Sequence, residues 1–181
     1  TFPAKYVLSI ISREKDAMTT PETMISRAEM AGQHQAIHVA RAYQKYQNRL
    51  KENNAVDFDD IIFLTVKLLQ EHEPVRTYYQ KKFRYVLVDE YQDTNHAQYE
   101  ICRLLAESHR NIMVVGDDDQ SIYSWRGADI RNILEFENDY PDCTTIKLEQ
   151  NYRSVGNILS AANAVIANNM TRKPKKLMTT A

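Results

Sequence analysis

A chain of 181 residues with only 4 glycines, the closest pair (Gly116 and Gly127) 11 positions apart, cannot spell a G-x-x-x-x-G-K-[ST] or G-x-G-x-x-G phosphate loop. Apolar residues make up 43% of it, enough for the core of one domain or two small ones, yet no apolar run nears the ~18 residues of a membrane span. Cys102 and Cys143, without histidines at ligand spacing, exclude a disulfide framework and a zinc site, and the net charge of −1 conceals basic ends around an acidic middle.

The charge runs +3 over residues 1–56, −6 over 57–119, −2 over 120–169 and +4 over 170–181. That pattern suits a metal or phosphate site beside a polyanion track, and equally an ordinary solvated surface. With no signal-peptide layout, a soluble cytoplasmic protein is expected, and an opening Thr1 in place of Met leads to the expectation of a piece of a longer chain.

Residues 1–55 read as helical. Thr20-Pro21-Glu22 is an N-cap, a helix-starting proline and a first-turn acid, and Val39, Tyr43, Tyr46 and Leu50 recur at helical spacing on a polar helix. Asp57 then caps a stronger amphipathic helix with Phe58, Ile61, Ile62, Thr65, Leu68 and Leu69 on one face. From there the pattern alternates. Apolar runs at 85–88 and 112–115 and a segment centred on Ile146 and Leu148 predict three strands, the first two buried on both faces. Between them lie helices carrying Ile101, Leu104 and Leu105, and then Ile130, Ile133 and Leu134. A last helix, capped by Ser154, runs from Val155 to Ile166, before a basic linker at Arg172–Lys176. The reading is an α/β fold with a thin parallel sheet, flanking helices and an N-terminal all-helical subdomain.

Each predicted strand runs into a polar cluster at its carboxyl end, where open α/β sheets bind ligands. Asp89-Glu90 can hold Mg²⁺ and orient a water, or can simply cap a helix beside a solvated loop. Asp117–Asp119 is a second metal cluster or an acidic capping loop, with Gly116 easing the turn off the strand. In Gln120-Ser121-Ile122-Tyr123-Ser124-Trp125-Arg126-Gly127, Tyr123 and Trp125 share one side of an extended loop. They make a platform for unstacked bases, or Trp125 anchors the loop in the core. Tyr152 offers a face to a purine and Arg153 a fork to a phosphate, against a tyrosine packed under the sheet and a solvated arginine.

Three long segments in order, Val88–Asn95 (VDEYQDTN), Val115–Ala128 (VGDDDQSIYSWRGA) and Leu148–Ser154 (LEQNYRS), resemble motifs II, III and IV of the UvrD/Rep/PcrA-type superfamily 1 DNA helicases. Asp57-Phe58-Asp59-Asp60 and Arg172-Lys173-Pro174-Lys175 are similar to the same family, so the resemblance covers nearly the whole chain. It implies an incomplete RecA-like sheet, with residues 1–55 part of an inserted helical subdomain, 56–149 part of the first RecA-like ATPase domain and 150–181 the start of the second. It implies Mg²⁺ and ATP as cofactors. Asp89 would coordinate Mg²⁺ with Glu90 beside it, Glu90 would activate the hydrolytic water, and Gln120 would sense the γ-phosphate. Tyr152 would stack on adenine, and Arg153 would reach the γ-phosphate across the domain cleft. Tyr123 and Trp125 would stack on single-stranded DNA, and Arg126 would link that loop to the nucleotide. The family's activity is 3′-to-5′ helicase and translocase action on single strands and single/double-strand junctions. The phosphate loop, the adenine-reading glutamine segment and most of the second RecA-like domain are missing, and Ser124 departs from the family's usual glycine or larger basic residue. The isolated chain is therefore expected to be inactive. Competing readings are the helicase arm of a helicase–nuclease, a non-catalytic single-stranded DNA-binding module, and a metal-dependent phosphohydrolase built on the Asp89-Glu90 and Asp117–Asp119 carboxylates.

Overall fold

The computed structural model describes residues 2–170 and 172–180, so Thr1 and Ala181, the outer limits of the expected first and last domains, lie outside the described residues. Three helices open the chain: α1 (Ala4–Asp16), α2 (Pro21–Met30) and α3 (His34–Glu52). The Thr20 hydroxyl accepts from the Thr23 N–H at 3.2 Å, closing the proline-led start of α2. Ile11, Met24, Val39, Ala40 and Tyr43 form the core among these three helices.

The next helix, α4 (Phe58–Glu71), starts on a reciprocal capping box: Asp57 accepts from the Asp60 N–H at 2.7 Å, and Asp60 accepts from the Asp57 N–H at 3.3 Å. The same two carboxylates bind the fully buried Lys15 at the end of α1, with Nζ 2.7 Å from Asp57 and 2.9 Å from Asp60. Tyr46 donates to Asp57 at 2.9 Å and Gln47 to Asp60 at 2.9 Å. Burial pushes the Asp57 carboxyl up, but the hydrogen bonds from Lys15, the Asp60 amide and Tyr46 outweigh it and leave a lowered pKa. One buried cation thus ties the first three helices to the rest of the fold. Beyond it, α4, α5 (Glu73–Lys82) and α6 (His96–Ala106) pack through Val66, Leu69, Ala97 and Leu104.

The sheet has two parallel strands, β1 (Val86–Val88) and β2 (Ile112–Val114), in the register Val86↔Ile112, Leu87↔Met113, Val88↔Val114. Val88, Ile112 and Val114 face a cluster of Tyr91, Phe136 and Tyr140. Phe136 lies in α8 (Phe136–Asp139), which follows the short α7 (Arg131–Leu134) and ends just before Tyr140. Leu87 and Met113 alternate to the other side and stay exposed. The expectation of strands buried on both faces is therefore corrected: among the described residues, helices cover one face only.

Among the described residues the expected third strand is also absent. Residues 146–148 form no ladder, and Ile146 and Leu148 are 77% and 76% exposed. No neighbouring strand receives their backbone, and the nearest pairing is a single parallel bridge, Gln150↔Met178. Both side chains instead line a cavity of about 870 Å³, together with Leu87 and Met113 of the bare sheet face. The final helix, α9 (Gly156–Ile166), begins after Val155 with no side-chain cap. Ser154 does not cap it; its own N–H and that of Arg153 donate to Asn151 Oδ1 at 2.8 and 2.9 Å.

Candidate functional site

The two strands end side by side, and their polar extensions interlock. Tyr91 N–H donates to the Val115 carbonyl at 3.0 Å and Val115 N–H to the Val88 carbonyl at 2.8 Å, extending the ladder beyond both strands. Asp89 and Glu90 sit at the mouth of β1, exposed and without an ion-pair partner among the described residues. Asp89 Oδ1 accepts from the Glu90 N–H at 2.9 Å. Glu90 takes a left-handed conformation (φ 51°), uncommon for a residue with a Cβ, which turns the chain sharply off the strand.

Behind that turn, Gln92 is buried and spans the two strand ends. Its Nε2 donates to Glu90 Oε2 at 2.9 Å, and its Oε1 accepts from the Asp117 N–H at 3.0 Å. Asp117 caps the following turn by accepting from Asp119 N–H at 3.0 Å, and its Oδ2 accepts from Gln120 Nε2 at 2.7 Å. A continuous hydrogen-bonded path therefore runs from Glu90 through Gln92 and Asp117 to Gln120. Gly116 makes room for it: a Cβ there would lie 2.6 Å from Gln92 Oε1 and 2.7 Å from Ile133 Cδ1.

Past Gln120 the loop forms an aromatic ledge. The Tyr123 and Trp125 rings lie 6.2 Å apart at 51°, and the Arg126 guanidinium stands over both, 5.2 Å and 4.5 Å from their centroids. Trp125 is 69% exposed, which removes the reading of a core anchor. The loop leaves this ledge through Gly127 (φ 86°), pressed against Asp16 at the end of α1. With Arg13, Asp16, Phe58 and Asn95, the ledge lines a cavity of about 720 Å³ between the opening helices and the strand ends. Phe58 was assigned to the apolar face of α4; at 89% exposure it instead overhangs this cavity. Its place immediately after the N-cap, where a side chain projects beyond the helix packing, was the sequence signal for that.

The second carboxylate cluster has a different environment. Asp117, Asp118 and Asp119 bring oxygens within 4.8 Å of one another. Arg172 forks onto Asp119 at 2.7–3.1 Å, Lys175 reaches Asp117, and also Asp118 at 2.8 Å and Asp119 at 3.3 Å, and Lys173 N–H donates to Asp118 at 2.7 Å. Burial raises the carboxyls of Asp117 and Asp118, but hydrogen bonds from Lys175 and from neighbouring groups prevail and leave both lowered. Burial depresses Lys175 in turn, and its bonds to the two aspartates reverse that to a net rise. Cations of the chain already neutralise this cluster, which counts against a metal there and against the phosphohydrolase reading. The residues Arg172–Lys176, expected as a linker, supply those cations.

Asp89 and Glu90 fit a hard divalent cation better, as exposed oxygen donors with no competing lysine or arginine among the described residues. Tyr152 and Arg153 are not brought to them. Tyr152 is 90% exposed, and the Arg153 side chain makes no hydrogen bond or ion pair among the described residues.

On this mixed α/β frame residues 2–141 match the UvrD/REP helicase N-terminal domain, and the chain belongs to that family. Among its relatives, the ATP-dependent DNA helicase PcrA of Bacillus subtilis is 51% identical over 178 residues, covering 98% of this chain and 24% of that protein. PcrA of Staphylococcus aureus (strain Mu50) is 52% identical over the same shares. The chain thus spans about a quarter of the length of these relatives. No described helix is long and apolar enough to cross a membrane.

Proposed function

We propose that this chain is an internal piece of a cytoplasmic, DNA-dependent ATPase that moves 3′ to 5′ along single-stranded DNA and opens duplexes at single/double-strand junctions. The observation that carries the reading is the loop from Gly116 to Gly127. Its first half meets the acidic strand end through Gln92, and its second half carries the Tyr123–Trp125–Arg126 ledge. Family membership and the PcrA relatives support it further.

In this reading residues 56–149 belong to a first RecA-like domain, 1–55 to a helical insertion in it, and 150–181 to the start of a second such domain. Mg²⁺, when bound with ATP, screens the charge between the phosphates. Asp89 holds it, with Glu90 beside it. Glu90 orients the attacking water and accepts its proton. Gln120 contacts the γ-phosphate end of the site, so a change there is felt three residues later at Tyr123. Tyr123 and Trp125 stack on bases, and Arg126 holds their relative tilt. Tyr152 and Arg153 complete the nucleotide site, against adenine and the γ-phosphate, when the second domain closes. The solvent-exposed state of both side chains agrees with a partner surface still to be met.

Steady-state ATP hydrolysis by the full-length parent, with and without oligo-dT, tests the reading. Glu90→Gln is expected to lower DNA-stimulated turnover at least 100-fold. Trp125→Ala is expected to weaken single-strand binding about 5- to 100-fold, the worth of one stacked base. The isolated 181 residues, which contain no glycine-rich loop ending in Lys-Ser or Lys-Thr, are expected to hydrolyse none. Normal turnover by the Glu90→Gln parent removes the enzymatic role given to Glu90, whereas a wild-type parent with no DNA-stimulated turnover leaves a non-catalytic DNA-binding module.

A further inference from the structure

The buried glutamine between the strand ends has no role in the chemistry above. It is 1% exposed, and every polar atom of its amide is used. Nε2 donates to Glu90 Oε2 at 2.9 Å and to Asp93 Oδ2 at 3.3 Å, and Oε1 accepts from the Asp117 N–H at 3.0 Å. Its backbone carbonyl also accepts from Ser121 Oγ at 3.3 Å.

A single side chain here must donate to carboxylates on one side and accept from an amide on the other. Among the uncharged side chains asparagine and glutamine offer both a carbonyl and an NH₂ group on one planar amide, and glutamine has the reach. The partners also fix its orientation. A flipped amide would point its oxygen at Glu90 and its NH₂ at the Asp117 N–H, and both pairings are repulsive. Nor can the group swing aside, because it fills the space that Gly116 leaves by lacking a Cβ. Glu90, held in a left-handed turn, has this one side-chain hydrogen bond among the described residues.

We infer that Gln92 is the positioning residue that holds the Glu90 carboxylate in register with the Asp117–Ser121 loop, so that the DNA-binding loop and the water-activating group move as one body. The inference rests on the function proposed above. A shift of the loop on DNA binding pulls the Asp117 amide, the amide pulls Gln92, and Gln92 reorients Glu90. Gln92 touches neither nucleotide nor DNA in this scheme. Its loss is expected to show in the stimulation of turnover by DNA, with substrate binding spared.

The test uses the full-length parent and two variants. Gln92→Met matches the size and removes both donor and acceptor. Gln92→Glu keeps an acceptor, loses the donor and sets a third carboxylate beside Glu90 and Asp93. For Gln92→Met the expected result is a drop of at least tenfold in kcat with oligo-dT, with KM for ATP and Kd for the oligonucleotide each within twofold of wild type. For Gln92→Glu, which loses the donor to Glu90, a drop of at least tenfold in kcat with oligo-dT is likewise expected, with KM for ATP and Kd for the oligonucleotide within twofold of wild type. The near-isosteric glutamate variant keeps the inference testable should the methionine variant fail to fold. A folded Gln92→Met or Gln92→Glu enzyme with wild-type DNA stimulation overturns it. Glu90→Gln run in parallel separates the two levels. If it keeps full turnover, the role of Glu90 on which the inference rests is lost. If it is inactive while Gln92→Met stimulates normally, only the role of Gln92 is lost.

Discussion

Two acidic groups sit at the ends of neighbouring parallel strands, and the chain treats them in opposite ways. Asp117–Asp119, after β2, is covered by Arg172 and Lys175 and bonded by the Lys173 amide. Asp89-Glu90, after β1, has no cationic cover among the described residues and is held by a backbone amide and a neutral glutamine. A third acidic pair, Asp57 and Asp60, encloses a buried lysine. The lesson is that the number of carboxylates says little about chemistry. What separates a cation-binding pair from a structural one is whether the chain has already supplied the counter-charge.

The sharpest way to break this comparison is to neutralise one carboxylate of each kind in the parent protein. Glu90→Gln should cost at least 100-fold in DNA-stimulated ATP turnover and leave the melting temperature nearly unchanged, since the side chain is exposed. Asp119→Asn should do the reverse. Turnover is expected within a few-fold of wild type, and stability is expected to fall by about 2 kcal/mol as the half-buried Arg172 loses its forked partner. ATPase assays and urea denaturation of the same two proteins decide it. If Asp119→Asn abolishes turnover without loss of stability, the comparison fails.

The third pair extends the test to a fully buried cation. Lys15→Met leaves Asp57 and Asp60 facing each other with one counter-charge gone. It is expected to cost about 3–5 kcal/mol, the usual penalty for stranding one side of a buried pair. A chemical denaturation curve measures it. A loss below about 1 kcal/mol would mean that Tyr46, Gln47 and the capping-box amides satisfy those carboxylates without the lysine.

The local signals in the sequence were the most legible. The proline-led start of α2, the Asp57 cap and the apolar runs of β1 and β2 each depend on neighbours within a few residues, and the chain folds as they indicate. The segment centred on Ile146 and Leu148, interrupted by Lys147, needs a strand to pair with, and among the described residues none pairs with it. Likewise the apolar residues of α9 read as a core face, yet Leu159 alone is buried there. The site divides in the same way. Adjacent motif residues such as Tyr123, Trp125 and Arg126 come together because the loop is short. The clasp of Asp117–Asp119 by Arg172 and Lys175 spans more than fifty residues, so its charges read in sequence as an unrelated acidic loop and a basic linker. Gln92 was invisible for another reason. A glutamine beside a charged pair carries no signal of its own until burial and both bonding partners are known.

The smallest expected effect concerns acid and turns on the sign of each shift. Asp117 and Asp118 are held below the ordinary aspartate value of 3.8. Their contribution is therefore complete above that value and lost as pH falls through the lower folded value. Asp16 behaves oppositely. Burial, with Asp59 nearby, pushes its carboxyl up to about 6, while its Oδ1 accepts from Asn95 at 2.7 Å and its other oxygen lies against Gly127. The folded state keeps that proton longer than the unfolded chain, so stability declines as pH rises from about 4 to about 6 and stays lower above it. A rise from 3.8 to about 6 corresponds to about 3 kcal/mol at 1.36 kcal/mol per unit, and half-exposure reduces this to about 1 kcal/mol. Asp16→Asn keeps the acceptor for Asn95 and removes the charge. It should add about 1 kcal/mol at pH 7, add nothing at pH 4, and flatten the loss between them in urea titrations at a series of pH values. An equal gain at both ends of the range would mean that packing against Gly127, rather than an unpaired charge, sets the cost of Asp16.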